Sequence, residues 1–240
     1  YGGYKRSTLE RIKVINFPTT VIDNFFDNPD EIVKMAASDK IEWNPSPNGS
    51  FPGLRSQPLH ILDEEFWDYF LFKYLHTFWS EEEIKNKGIR FLARSYFSLI
   101  SNEHSKGWIH CDYPIMHTSI IYLTPNADPK SGTGIYTKKD MYTAELYPDI
   151  SKKYIKGEMT KEEFEPYAEK HNSGFIEDCY FANKYNRLIG FDSHLWHAIK
   201  HSDEKKDRLT IVSFIDDVIA GDFPITRMKK FPLYRKKQGV

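Results

Sequence analysis

The sequence predicts a mostly β protein with flanking helices, an α+β arrangement built on a sandwich or barrel. Two observations carry this reading. From residue 89 onward, short β-branched and aromatic runs recur between turn signals, as in sheets that pack or close on themselves. Before residue 89, apolar residues recur at intervals of three and four, the period of a helix buried along one stripe. The composition supports a real core, since 40% of the 240 residues are hydrophobic and 15% aromatic, too apolar for a disordered chain. Lys and Arg (33) balance Asp and Glu (34), which excludes a strongly basic nucleic-acid module and an acidic tail. Two cysteines, Cys111 and Cys179, exclude a disulfide scaffold and a cysteine-rich zinc module, and fit a reducing compartment. No apolar run approaches the ~18 residues of a membrane helix, and Tyr1-Gly2-Gly3-Tyr4-Lys5-Arg6 leads into no apolar signal segment, so a cytoplasmic location is expected.

The β-branched stretch from Lys13 to Ile22 reads as a strand or an extended lead-in. Asn28-Pro29-Asp30 reads as a helix start, because the missing N–H of Pro29 would be unpaired in a first turn anyway. Residues 42–58 are expected to form a loop, broken by Pro45, Pro47, Pro52, Pro58, Gly49 and Gly53. Arg55 in that loop either reaches a substrate or fastens the proline-rich segment. Asp63 is expected to cap a second helix with the stripe Phe66, Trp67, Phe70, Leu71, Tyr74, Leu75 and Phe78. Strands are expected at 89–100, 108–112, 117–123, 134–137, 187–191, 197–201 and 208–216. Residues 138–186 interrupt them and read as decoration or as a lid, with Thr160 as a helix cap. The organisation expected is one domain over 1–240. It has a helical and loop layer (1–88), a β core (89–216) carrying the 138–186 insertion, and a C-terminal extension (217–240).

Chemistry concentrates at Trp108-Ile109-His110-Cys111-Asp112. On a strand, side chains two apart share a face, so His110 and Asp112 point to one place, while Cys111 faces the other way and is expected to pack. Two histidines and a carboxylate on one face of an octahedron leave three positions open, the arrangement of non-haem Fe(II) oxygenases. His117, His171, His194, His197 and His201 are candidates for the third ligand. A hairpin across the charged turn 202–207 would pair His201 with Arg208, Ile199 with Thr210 and His197 with Val212. That register puts His197, Ile199, His201, Arg208, Thr210, Val212 and Phe214 on one face. A histidine and an arginine inside a small barrel are costly to bury without partners. A metal would satisfy the first and a dicarboxylate the second.

These pieces resemble the Fe(II)/2-oxoglutarate-dependent dioxygenases of the prolyl-hydroxylase-like branch. The resemblance rests on five ordered segments: His110-Cys111-Asp112; Thr118 to Thr124 with Tyr122 and Leu123; Gly132-Thr133-Gly134-Ile135-Tyr136; Phe191 to His197; and Arg208-Leu209-Thr210. It covers about residues 90–216, and departs from the family in placing Thr133 where Gly-Gly is common. It implies a double-stranded β-helix core of jelly-roll or cupin type, with Fe(II) as cofactor on His110, Asp112 and His197. It implies 2-oxoglutarate as cosubstrate, its distal carboxylate on Arg208, with Tyr122, Thr118 and Thr210 assisting. The activity implied is hydroxylation of a peptide side chain or small molecule with O2, releasing succinate and CO2, with prolyl-4-hydroxylase-like chemistry included. The competing reading is a non-catalytic metal- or sugar-binding barrel of cupin type. Balanced charge disfavours a nucleic-acid partner, no membrane partner is expected, and oligomeric state is open.

Overall fold

A computed structural model describes residues 15–86, 88–104, 107–139, 148–201, 203 and 205–230. Its elements in chain order are β1 (Thr20–Ile22), α1 (Pro29–Ala36), β2 (Asn44–Pro45), β3 (Leu54–Arg55), α2 (Leu59–Leu62), α3 (Glu64–Leu75), α4 (Glu81–Asn86), β4 (Arg90–Ile100), β5 (His117–Tyr122), β6 (Thr133–Lys138), α5 (Pro148–Ile155), α6 (Lys161–Asn172), β7 (Phe175–Phe181), β8 (Leu188–Asp192), β9 (Trp196–Ile199), β10 (Arg208–Ile219) and α7 (Pro224–Lys229). Seven strands form one antiparallel sheet in the order β1-β8-β5-β10-β4-β3-β2, and three form a second in the order β7-β6-β9. From β7 to β10 successive strands alternate between the two sheets, as they do in a double-stranded β-helix.

At the centre of the large sheet, on β5 and β8, both faces are buried. On β5, His117, Ser119 and Ile121 alternate with Thr118, Ile120 and Tyr122, and all six are buried. Ile121, Leu188, Ile211 and Ile215 join the helical layer, where Phe66, Phe70, Leu71, Tyr74 and Leu75 of α3 cover them. Ile120, Tyr122, Ile189, Phe191, Val212 and Phe214 face the other way and pack with Ile135 of the small sheet. The start of α3 follows from the sequence: the Asp63 carboxylate accepts the Phe66 N–H at 2.9 Å, satisfying a donor the first turn leaves open. Thr160 and Glu163 form a reciprocal capping box that starts α6. Pro29 occupies the first turn of α1, as expected.

Several expectations are corrected. Residues 108–112 form no strand. They touch β9 only through an isolated antiparallel bridge between His110 and His197. The Ile109 N–H is taken by the Asn172 side chain and the Asp112 N–H by the Ser193 carbonyl, so no continuous ladder forms. The 197–201 and 208–216 segments do not pair. Within the small sheet β9 lies beside β6, with His197 opposite Ile135, while β10 lies between β4 and β5 in the large sheet. The connection between them is therefore a crossover between sheets rather than a hairpin, although Ser202 and Glu204 lie outside the described residues. The region 138–186 is not wholly an insertion. It contains β7, which pairs along β6 from Thr133 opposite Phe181 to Lys138 opposite Phe175. The N-terminal layer supplies β1, β2 and β3 to the edges of the large sheet as well as helices, and residues 13 and 14 of the expected first strand lie outside the described residues.

Close packing of α3 on β8 explains Gly190. A Cβ there would collide with the Tyr74 hydroxyl and come within 3.0 Å of His117 Nε2. Gly190→Ala is expected to destabilise the fold by about 1–3 kcal/mol through overpacking, read as a lower denaturant midpoint with unchanged slope. The cost should shrink in a Tyr74→Phe background, where the colliding oxygen is absent; strict additivity of the two changes would show that the contact is not the cause.

Candidate metal centre

Two backbone hydrogen bonds bring distant segments together. His110 N donates to the His197 carbonyl at 3.0 Å, and His197 N donates to the His110 carbonyl at 2.8 Å. The two rings then lie with centroids 4.4 Å apart. Each ring is turned the same way by its own chain: Nδ1 of His110 donates to the Trp108 carbonyl at 2.9 Å, and Nδ1 of His197 to the Leu195 carbonyl at 3.0 Å. A carbonyl only accepts, so both Nε2 atoms are left as lone-pair donors. They converge on Asp112, His110 Nε2 lying 3.7 Å from one carboxylate oxygen and His197 Nε2 3.4 Å from the other. One ligand atom from each residue lies within 4.8 Å of the other two, a cluster that could hold a metal ion.

Electrostatics match that geometry. Burial pushes the Asp112 carboxyl up, but the imidazoles of His197 and His110 and the Thr118 hydroxyl outweigh it and hold it well below the usual carboxylate range. Thr118 donates to Asp112 Oδ2 at 2.8 Å and shares a second hydrogen bond with Ser193 at 2.7 Å, so the carboxylate cannot swing freely. Burial pushes His110 down; it pulls His197 the same way, but the neighbouring Asp112 outweighs it there and raises His197 above its ordinary value. Protons and a metal therefore compete for the same nitrogen, and metal binding would release protons.

The cluster opens on a cavity of about 470 Å³, which Arg55, Thr118, Thr133, Arg208 and Phe214 also line. That volume lies within the roughly 300–1,000 Å³ of small-molecule sites. Arg208 is 6% exposed; its Nε donates to the Ser131 carbonyl at 3.3 Å, and its Nη2 is buried without a hydrogen-bond partner. Its guanidinium carbon stands 5.2 Å from the Tyr122 ring centre. The Tyr122 hydroxyl donates to Thr133 at 2.8 Å, and the Thr210 hydroxyl to the Ser98 carbonyl at 3.5 Å.

The other histidines are placed elsewhere. His194 is held by the buried Asp192 carboxylate through Nδ1 at 2.8 Å. His201 is exposed and lines a separate surface depression with Lys205 and Lys206. His171, on α6, donates from Nε2 to the Ile109 carbonyl at 2.7 Å, and the neighbouring Asn172 accepts the Ile109 N–H at 2.9 Å. Together they brace the segment that carries His110, a role that no sequence motif signals. Cys111 corrects the sequence reading: it is half-buried and lines the cavity, because the segment is a single bridge rather than a regular strand. Ser151 and Lys152 of α5 reach the same cavity, so the segment between β6 and β7 borders the site.

A sequence-family model described as a family of unknown function, DUF6445, matches residues 5–215. The chain belongs to that family. No curated protein matches the sequence. Among solved structures, HygX from Streptomyces hygroscopicus with nickel and 2-oxoglutarate bound is similar at a TM-score of 0.50 and 14% identity, over 83% of each chain. A prolyl 4-hydroxylase from Phytophthora capsici is similar at 0.45 and 15% identity, over 84% of this chain and 59% of the other. A prolyl hydroxylase from Trichoplax adhaerens, solved with a hypoxia inducible factor peptide, is similar at 0.47 and 13% identity over 83% of each. This DUF6445 chain thus spans under two thirds of the Phytophthora protein. The likeness to HygX shows the fold alone, the double-stranded β-helix described above.

His117, a candidate ligand by sequence, lies on the helical side of β5 in this DUF6445 chain. It hydrogen-bonds the Tyr74 hydroxyl and packs against Phe17 and Phe78. Burial pushes it down to about 3 from an ordinary 6.5. Between those values the unfolded chain binds a proton that the native chain refuses, so stability falls as pH falls, by about 1.4 kcal/mol per pH unit from this group alone. Denaturant titrations from pH 6.5 to 4 should show that slope in the wild type minus His117→Phe difference; parallel curves would contradict a neutral buried imidazole.

Proposed function

We propose that this chain is a non-haem Fe(II)- and 2-oxoglutarate-dependent oxygenase that hydroxylates a C–H bond of a peptide side chain or small molecule and releases succinate and CO2. One observation carries the reading. The converging His110, Asp112 and His197 share a cavity with Arg208, whose buried Nη2 has no hydrogen-bond partner. His110 and His197 would supply Nε2 and Asp112 a carboxylate oxygen, a donor set suited to Fe(II). Arg208 would receive the distal carboxylate of 2-oxoglutarate through paired, charge-assisted hydrogen bonds. Tyr122 and Thr210 would wall that seat, and Thr118 would act through Asp112 by fixing its orientation. The chemistry available at such a centre is activation of O2 coupled to cosubstrate decarboxylation and oxidation of a substrate C–H bond. HygX, the neighbour of TM-score 0.50, carries nickel and 2-oxoglutarate, which supports the reading. A non-catalytic cupin-type barrel would have no use for a buried guanidinium with an open nitrogen. Helix α5 borders the cavity and is placed to influence which substrate enters.

Anaerobic titration with Fe(II), followed by 2-oxoglutarate, tests the assignment. His110→Ala, Asp112→Ala and His197→Ala should each severely weaken metal binding, whereas His194→Ala and His201→Ala should leave it unchanged. Arg208→Ala should keep the metal and weaken 2-oxoglutarate by about ten- to a hundredfold, as for loss of a charge-assisted hydrogen bond of roughly 1.5–3 kcal/mol. Wild-type cosubstrate affinity in that variant would remove Arg208 from the role. A milder effect is expected of Thr118→Val, about ten- to a hundredfold in metal affinity, as is usual when a ligand loses its orienting partner.

A further inference from the structure

The cavity holds a second arginine that the proposed chemistry leaves unused. Arg55 lies on β3, opposite Ser98 of β4. Gly53, at φ +70°, lets the preceding loop press against the β4 backbone, where a Cβ would collide with the Leu99 carbonyl. Phe51 stacks on the Arg55 guanidinium, its ring centre 4.0 Å from Cζ, with Phe214 at 5.2 Å and Tyr96 at 5.6 Å. Nε of Arg55 is buried and has no hydrogen-bond partner. Among the described residues no carboxylate forms an ion pair with it. Phe214, against which Arg55 packs, stands opposite Thr118, the residue that bonds Asp112, whereas Arg208, at the start of β10, lies against Tyr122. The two arginines thus occupy different ends of the cavity, Arg55 on the side of the metal ligands.

Charge balance points the same way. Among the described residues, Arg55, Arg208 and Lys152 line the cavity against one carboxylate, that of Asp112. With a divalent ion and a dianionic cosubstrate bound, Asp112 and Arg208 complete a neutral set. Arg55 and Lys152 remain as unmatched positive charge in a space that Phe51, Pro52, Tyr113 and Ile115 make apolar. Burial lowers the Arg55 pKa to about 10, which still leaves it charged at neutral pH. An aromatic partner satisfies the face of a guanidinium but not its N–H edge, and that edge fits a carboxylate.

We propose that Arg55 is a specificity-determining residue that receives a carboxylate of the primary substrate, an acid whose apolar body rests against the Phe51–Pro52 loop. This rests on the oxygenase reading above, and the test separates the two. Calorimetric titrations would use N-acetylphenylalanine and N-acetylphenylalaninamide as probes. They would be run on wild type, Arg55→Met and Arg55→Lys, both metal-free and with Zn(II) plus 2-oxoglutarate. The wild type should bind the acid at least about tenfold more tightly than the amide, as for one charge-assisted hydrogen bond. Arg55→Met should abolish that preference while 2-oxoglutarate affinity stays within about threefold, and Arg55→Lys, keeping the charge without the planar fork, should restore part of it. Equal binding of acid and amide by the wild type, or binding of neither, would overturn the proposal. So would loss of 2-oxoglutarate in Arg55→Met as severe as in Arg208→Met, which would make Arg55 a cosubstrate residue. If the wild type binds neither Zn(II) nor 2-oxoglutarate yet shows an Arg55-dependent preference for the acid, the oxygenase reading falls and the acid site stands. Circular dichroism of each variant confirms that it folds.

Discussion

The pair of backbone hydrogen bonds between His110 and His197 is the contact on which the site depends. Residues that exchange both N–H···O bonds are held at about 5.5 Å between Cα atoms with side chains on one side, so two imidazoles from remote parts of the chain are fixed as neighbours. The same local device then aims each ring, a bond from Nδ1 to the carbonyl two residues earlier. Asp112 is tied in by its own N–H to Ser193 and by its side chain to Thr118. None of these contacts involves an ion. The three candidate ligand atoms converge because the backbone and its side-chain braces place them.

That bridge can hold only if the sheets on either side hold their register. On the large sheet a slip of one residue would exchange the two faces completely, since side chains alternate with a period of two. His117 and Thr118 show what is at stake. The first is buried among Phe17, Tyr74 and Phe78, and the second hydrogen-bonds Asp112. Slippage would put an imidazole beside the carboxylate and a hydroxyl in an aromatic layer. Helix α3 prevents this by covering the outer face with large side chains, closely enough that β8 has glycine at position 190. The helical layer thus fixes the register on which the candidate metal site depends.

Much of this was legible in the residues. The amphipathic stripe of α3, its Asp63 cap and the capping box at Thr160 depend on neighbours three or four residues away, which a sequence displays directly. The ordered segments from His110 to Thr210 carried the resemblance to an oxygenase fold. What the sequence hid was pairing partners. The segment holding β7 is exposed through Ile176, Glu177, Asp178 and Cys179, so it reads as charged surface rather than as a strand. The connection from β9 to β10 looks like a hairpin, because nothing local distinguishes a tight turn from a passage between two facing sheets. The inference that His197 and Arg208 look into one space nevertheless holds, since a residue on either of two facing sheets reaches the cavity between them. Arg55 remained ambiguous for a similar reason: its neighbours Tyr96 and Phe214 are remote in sequence.

The treatment of arginine separates the site from the rest of the molecule. Arg94 grips Asp216 with two nitrogens at 2.7 and 2.6 Å, Arg187 bonds Asp23 at 2.6 and 3.1 Å, and Arg227 bonds Glu83 at 2.8 Å. Each lies where water also reaches, and each has a carboxylate. The two arginines of the cavity have the greater need of one, because a desolvated guanidinium loses its water as well, yet each keeps a buried nitrogen without a hydrogen-bond partner. Packing alone does not account for this: Met or Leu would fill the same volume without the desolvation cost. On the proposed reading, carboxylates of the cosubstrate and of the substrate would offset that desolvation cost, and the two open nitrogens are where they would bond.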